Sequence, residues 1–435
     1  MMKRKMTRRN FLKVAAAVSA AGVMSACGGD GMPPASSGNG NTGNTGNAGD
    51  TGNSGDNPDN GSGGDSGEEE EVIETKWYYS RKADGTVSIG GYGGTLMGDV
   101  TIPDKIGNCP VSEVGGFAQC NGIESLTIPA SVTRINTYGF EFCKSLKHVY
   151  FSEGLQIINN CAFQGCSALE EIKLPDSLKT MGLGAFRNCK NVMALTISSQ
   201  LKVIPIDGFR DLGIEEVVIP KSVEKIEDSG LRENRNLKNV RFLGEPQIDS
   251  YVFCSCESLE SIELPDNLEI IGESMFMGCV ALADVKLPSE LEVIEDMAFR
   301  GTKLTSVKLP GKLIKIGKSA FEDVKIQKIL LPQNLKEIGN GAFGFTALNE
   351  ISIPVGVDRI NEDTFRFCSN LRRIYIPATV HNIDKQAFLL CDSLEDVYYG
   401  GTQEQWETIS IKEDNDYLKN AMLHPGTTAM PIISI

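Results

Sequence analysis

The feature that most constrains this chain is a repeat of 22 or 23 residues whose clearest column is proline: Pro103, Pro129, Pro175, Pro220, Pro265, Pro288, Pro310, Pro332, Pro354 and Pro377. The wider gaps close when Ser152, Ser198, Leu243 and Gly400 are read as the same position with proline replaced. A period in this range predicts a solenoid, in which each repeat is one coil and buries its apolar face only against its neighbours. Such a chain presents a long surface instead of enclosing a pocket. A length of 435 residues would otherwise suggest two or three ordinary domains.

Two repeats show the unit most clearly. One runs Leu169, Ile172, Leu174, Pro175, Leu178, Met181, Ala185, Phe186, Cys189; the other runs Leu371, Ile374, Ile376, Pro377, Val380, Ile383, Ala387, Phe388, Cys391. The end of L-x-x-I-x-L alternates with period two, which predicts a short strand with one buried side. Proline follows because it fixes φ and donates no N–H, so it cannot continue a parallel ladder. A second short extended piece follows, and the Ala-Phe-x-x-Cys segment predicts a helical turn with Phe inward. Phe117, Phe140, Phe163, Phe186, Phe209, Phe253, Phe276, Phe299, Phe321, Phe343, Phe365 and Phe388, with Leu231 in the remaining slot, predict one internal ladder of thirteen coils. At strand spacing that body is about 60 Å long.

The pattern L-x-x-I-x-L-P-x-x-L-x-x-I-x-x-x-A-F-x-x-C resembles the BspA-type leucine-rich repeat family of bacterial surface proteins and lipoproteins, over about residues 76–425. The resemblance implies a β-rich leucine-rich repeat superhelix with short parallel strands, one helical turn per coil, and a cap at each end. Val87 to Gly94 with Val100 to Pro103 looks like the opening cap, and Val397 to Trp406 like the closing one. The expected organisation is a cap over 72–97, repeats over 98–396, and a cap and tail over 397–435. Caps are physically required, because end coils otherwise leave apolar faces and strand edges in water. For function the family implies adhesion or protein binding at a cell surface.

The N-terminus predicts export. Thr7-Arg8-Arg9-Asn10-Phe11-Leu12-Lys13 precedes the apolar run Val14–Ala26, which is too short to span a bilayer. It resembles a twin-arginine signal; the plainer alternative is the basic region of an ordinary secretory signal. Met24-Ser25-Ala26-Cys27 looks like a lipobox, with Met24 in place of the usual Leu and Cys27 as the lipidated residue. Residues 1–27 are thus read as a twin-arginine lipoprotein signal. Residues 28–71, rich in Gly, Asn, Ser and Asp, are read as a disordered tether. Residues 1–27 carry six basic groups and no acid, and 28–71 carry nine acids and no base, which leaves −12 of the total −15 on 72–435. An acidic body argues against nucleic acid as partner, and leaves the lipid anchor as the only membrane contact.

Eight of the twelve cysteines, Cys120, Cys143, Cys166, Cys189, Cys256, Cys279, Cys368 and Cys391, sit three residues after the column Phe. Other coils place Leu212, Asn234, Thr302, Val324 or Thr346 there, so the position reads as a small packing site and not a metal ligand. Cys109, Cys161 and Cys254 lie off the column; a disulfide such as Cys109–Cys120 stays open as an alternative. His148, His381 and His424 fall in different coils and read as surface or cap residues. No catalytic motif, metal set or cofactor fingerprint occurs, and no enzyme activity is expected.

One residue per coil, between the two apolar strand residues, should face outward. That column includes Tyr150, Lys173, Arg241, Lys286, Lys308, Tyr375 and Tyr398 and is poor in acids. Tyr and Arg are enriched at interface hot spots. Exposed strand positions also favour Tyr, Thr and Val for their own reasons. The sequence therefore supports two readings: a surface module that binds a protein through this strip, or an envelope component that faces glycans or serves as a coat. The scarcity of tryptophan, with only Trp77 and Trp406, tilts the partner toward protein.

Overall fold

The computed structural model describes residues 76–430. The chain divides into two units, Met1–Glu70 and Glu71–Ile435, and every described residue belongs to the second. Arg8, Arg9, Cys27 and the tether therefore lie outside the described residues, as do 72–75 and 431–435.

The second unit is a β-solenoid of about 15 turns. Each coil offers three sides to its neighbours. On the first side, strands such as Ile123–Ile128, His148–Phe151, Glu171–Lys173 and Arg373–Ile376 run parallel, with Leu126 beside Val149 and Ile351 beside Ile374. On the second side, two-residue strands align Ile135, Ile158 and Met181 in register. The inward residues of both ladders join one continuous apolar cluster. The count exceeds the thirteen coils expected because both caps continue the ladder. Gly98–Thr101 adds a rung before Ile123–Ile128, and Met422–His424 adds one after Asp396–Tyr399.

The third side corrects the expected helical turn. Each column Phe from Phe140 onward is flanked two residues away on both sides by left-handed backbone: Cys161 (φ 54°) and Gly165 (φ 72°) around Phe163, Ser274 (φ 52°) and Gly278 (φ 74°) around Phe276. Alternate N–H groups there close short turns, as Cys166 does onto the Phe163 carbonyl. The others leave the coil: Phe140 donates to the Ala162 carbonyl, Phe163 to Ala185 and Phe276 to Ala298, each at 2.8 Å. A helix would use those donors internally. Here they become a third ladder between coils. Among the described residues the α-helices are Gln403–Glu407 and Asp416–Asn420, both in the closing cap.

The rings stack inside as expected, with one interruption. Neighbouring Phe centroids lie 5.2–6.1 Å apart from Phe117 to Phe209 and 5.3–5.9 Å apart from Phe253 to Phe388. Leu231, fully buried, separates the two stacks. Trp77 meets Phe117 edge-on at 6.0 Å and closes the first stack.

Proline removes one possible rung of the first ladder. At three of the four positions where the column lacks proline, the N–H reaches the preceding coil: Ser152 to the Ile128 carbonyl (3.1 Å), Leu243 to Ile219 (3.0 Å), Gly400 to Ile376 (2.9 Å). Proline has no such donor. Breaks in strand pairing fall before the coils of Pro175, Pro220 and Pro265, while the coils of Ser152, Ser198, Leu243 and Gly400 all pair with their predecessors. The coils of Pro129, Pro288 and Pro377 also stay joined, so proline permits a seam without imposing one.

Candidate binding face

Alternation along the first-side strands turns one set of side chains into the core and the other outward. Tyr150, Lys173, Arg241, Lys286 and Lys308 are all exposed on this face, accompanied by Val218 and by Leu330, which is 76% exposed. Lys286 pairs with Glu263 of the preceding coil. Lys173, Arg241 and Lys308 have no ion pair among the described residues.

Tyr375 and Tyr398 are a correction: both are buried. The closing rung explains it. Met422–His424 lies alongside Asp396–Tyr399, and the His424 ring stacks on Tyr398 at 4.7 Å while its Nε2 sits 2.7 Å from Asp396 Oδ1. Tyr375 lies beside Tyr398 in register, with its hydroxyl against Gly400, where an added Cβ would meet it at 2.8 Å. The outward strip thus stops short of the C-terminal cap.

At the seam before Pro175 the face dips into a concavity of about 610 Å3. His148 and Tyr150 form one wall, their rings 6.4 Å apart at 26°. Lys173, Glu171 and Thr196 lie on the next two coils. Two nearby carboxylates are already engaged. Glu153 accepts the N–H groups of Asp176 (3.1 Å) and Ser177 (2.9 Å). Asp176 accepts from Ser199 N–H at 3.1 Å, and hydrogen bonding from Ser199, side chain first, holds its carboxyl below the usual range.

The cysteine column has a role that spacing alone did not reveal. Each buried thiol points at the carbonyl of the column residue one coil back: Cys143 to Phe117 (3.1 Å), Cys166 to Phe140 (3.2 Å), Cys279 to Phe253 (3.0 Å), Cys391 to Phe365 (3.1 Å). Asn234 Nδ2 donates to Phe209 at 3.0 Å in the same way, while Thr302 and Thr346 donate to the Phe of their own coil. The substitutes Asn and Thr share a small donor, and that was the available signal. Leu212 and Val324 lack one. Burial pushes the thiols of Cys143, Cys256, Cys279, Cys368 and Cys391 up, Cys368 to about 11. Cys109, Cys120 and Cys161 are free thiols. Among the described residues no three His, Cys, Asp or Glu side chains converge as a metal set.

The closing cap supplies a second group that sequence reasoning missed. Asn415 is fully buried; its Oδ1 accepts from Phe388 N–H (3.0 Å) and its Nδ2 donates to the Asp384 carbonyl (2.8 Å). A side-chain amide stands where the next coil's main chain would otherwise be.

Comparison with known proteins agrees with this architecture. A family model described as the BspA type leucine rich repeat region matches residues 113–238, 246–352 and 292–415. A model of the twin-arginine translocation signal matches residues 5–25. No curated protein sequence matches the chain. Among solved structures, a leucine-rich repeat protein from Bacteroides ovatus is 24% identical, with 81% of this chain and 99% of that one covered at a TM-score of 0.55. The pneumococcal vaccine antigen PcpA is 21% identical, with 81% and 98% covered at a TM-score of 0.53. At such identities the likeness is one of fold.

Proposed function

The chain belongs to the BspA-type leucine-rich repeat family and carries a twin-arginine signal for export across the cytoplasmic membrane, and on that footing we propose that it is a lipid-anchored surface protein whose strand face binds a protein ligand. The observation that carries this reading is the exposed column from Tyr150 to Leu330. It repeats once per coil and mixes exposed Tyr, Val and Leu with the cations Lys173, Arg241 and Lys308. Interfaces draw their affinity from such apolar and aromatic anchors beside Arg, with polar neighbours supplying orientation. The ligand belongs to the same envelope, a neighbouring cell or a host.

Anchoring rests on Cys27, the lipidated residue of Met24-Ser25-Ala26-Cys27. Two acyl chains hold a protein on a membrane where one is marginal. This reading assigns the protein no catalysis.

A photo-cross-linking residue placed at Val218 in the cell-borne protein should trap a discrete partner, and the same residue at Glu337 on the second side should not. Combined Arg241→Ala, Lys286→Ala and Lys308→Ala should lower the yield at Val218 about tenfold, the equivalent of about 1.4 kcal/mol. Equal trapping from both sides, or a yield untouched by the triple change, removes the strand face as the binding surface. Cys27→Ala should release the protein from the membrane fraction.

A further inference from the structure

We propose that the concavity between His148–Phe151 and Glu171–Lys173 is a binding site for a neutral oligosaccharide, separate from the protein contacts along the rest of the face. The first support is the seam. The two coils are tied by Glu170 N–H to the Lys147 carbonyl at 3.1 Å, but the strands that follow are not paired with each other. Main-chain donors and acceptors on both lips therefore line the opening, beside the hydroxyl of Thr196.

The second support is the polar lining. Glu153 and Asp176 hold main-chain N–H groups of following coils and stay charged. The lining therefore carries three carboxylates against one ammonium, Lys173, and Glu171 and Lys173 are in no ion pair among the described residues. A polyanion would be repelled by the carboxylates and a polycation would meet Lys173, whereas sugar hydroxyls donate to carboxylates and accept from an ammonium. A purely apolar ligand would leave the polar lining buried and unpaired, and would bind more weakly for it. A sugar carries donors and acceptors all round its edge.

The third support is Tyr150, 57% exposed and braced by His148. Its ring is a stiff platform with few rotatable bonds, and the C–H face of a pyranose packs on such a ring at low entropic cost. The volume, about 610 Å3, falls within the roughly 300–1,000 Å3 usual for small-ligand sites. Tryptophan is the residue whose scarcity argued against glycan in the sequence. Tyr150 supplies the platform that no exposed tryptophan does.

The test uses the full-length protein and three neutral probes at millimolar concentration: chitotriose, maltotriose and cellotriose. Saturation-transfer NMR should show contact to the ring C–H protons of at least one. Tyr150→Ala should weaken that probe tenfold or more, and Tyr150→Phe, which keeps the ring, should retain most of the affinity. Glu171→Gln should cost severalfold. No transfer to any of the three sugars overturns the proposal, and so does affinity unchanged in Tyr150→Ala. Partner cross-linking from Val218 is scored separately, so either reading can fail without the other.

Discussion

Asn415 should be the most sensitive polar residue of the closing cap. On the third side of the solenoid every coil donates N–H groups forward, as Phe365 does to the Ala387 carbonyl at 2.8 Å. The coil of Phe388 has no successor in the Phe column, and Asn415 Oδ1 takes its N–H instead at 3.0 Å. The same carboxamide donates to three carbonyls, of Asp384 (2.8 Å), Lys412 (3.2 Å) and Glu413 (3.3 Å). Asn415→Ala strands at least the Phe388 N–H and the Asp384 carbonyl. At about 1–3 kcal/mol for each buried group left unpaired, the change should cost about 2–6 kcal/mol.

Because stability in a solenoid is a sum of coils and nearest-neighbour interfaces, the loss should appear first at this end. Hydrogen exchange across 384–424 should accelerate while the amides of the Phe163 and Phe186 coils stay protected. Asn415→Asp keeps the acceptor for Phe388 but turns a carboxylate toward three carbonyls, so it should be no milder. Burial raises that carboxyl's pKa in the folded state, so the penalty should shrink as pH falls and the group takes up its proton. A denaturation midpoint for Asn415→Ala equivalent to less than about 0.5 kcal/mol, the range of ordinary surface changes, would refute the clamp.

Three further outcomes follow from the packing. Phe299→Ala should cost about 3–5 kcal/mol in urea unfolding, whereas Phe299→Leu should cost clearly less, since Leu231 already fills a column position and is itself fully buried. Ser152→Pro removes the N–H that reaches Ile128, and should convert a joined rung into a seam, costing about 1–3 kcal/mol and raising exchange at His148–Phe151. The column thiols titrate near 9 when unfolded, and burial pushes Cys368 to about 11 and lifts Cys143, Cys256, Cys279 and Cys391 as well. The folded state therefore holds protons that the unfolded chain releases, so stability should fall as pH rises above about 9, by up to about 1.4 kcal/mol per pH unit for each thiol. A flat stability profile there, or rapid alkylation of Cys166 in the native protein, contradicts this burial.

The repeat was legible because its causes are local and recur. Period-two alternation fixed the inward residues of the first ladder, and the proline column marked the strand ends, so Ile172, Leu174 and Phe186 are buried where the pattern put them. The third side was not legible. An Ala-Phe-x-x-Cys run has helical spacing, and only the left-handed residues two places either side of Phe turn it into consecutive turns. Those positions hold Cys161, Asp207, Ser274 and Met297, a mixture that carries no single-residue signature. The donor role of the cysteine column was half-visible. Asn and Thr among its substitutes hinted at it, but Leu212 and Val324 argued for packing alone. Asn415 was invisible, because a residue that replaces a missing coil belongs to no column.

The same reasoning bounds the working surface. An outward strand position reaches solvent only when nothing lies over the strand, and parity along the chain cannot show what does. For the interior coils nothing does, and Lys173, Arg241, Lys286 and Lys308 are all exposed, Lys286 in a surface ion pair with Glu263. The last coils differ because a solenoid must end by covering its own edge. Here the covering strand Met422–His424 brings an imidazole onto Tyr398, and Gly400, small enough to admit the Tyr375 hydroxyl, lets the neighbouring ring fold under it. Two tyrosines that resemble binding anchors in the sequence are therefore structural parts of the cap. Tyr150, at the opposite end and beside an open seam, keeps its ring in water, so changes at Tyr150 should alter binding with little loss of stability, and changes at Tyr398 should do the reverse.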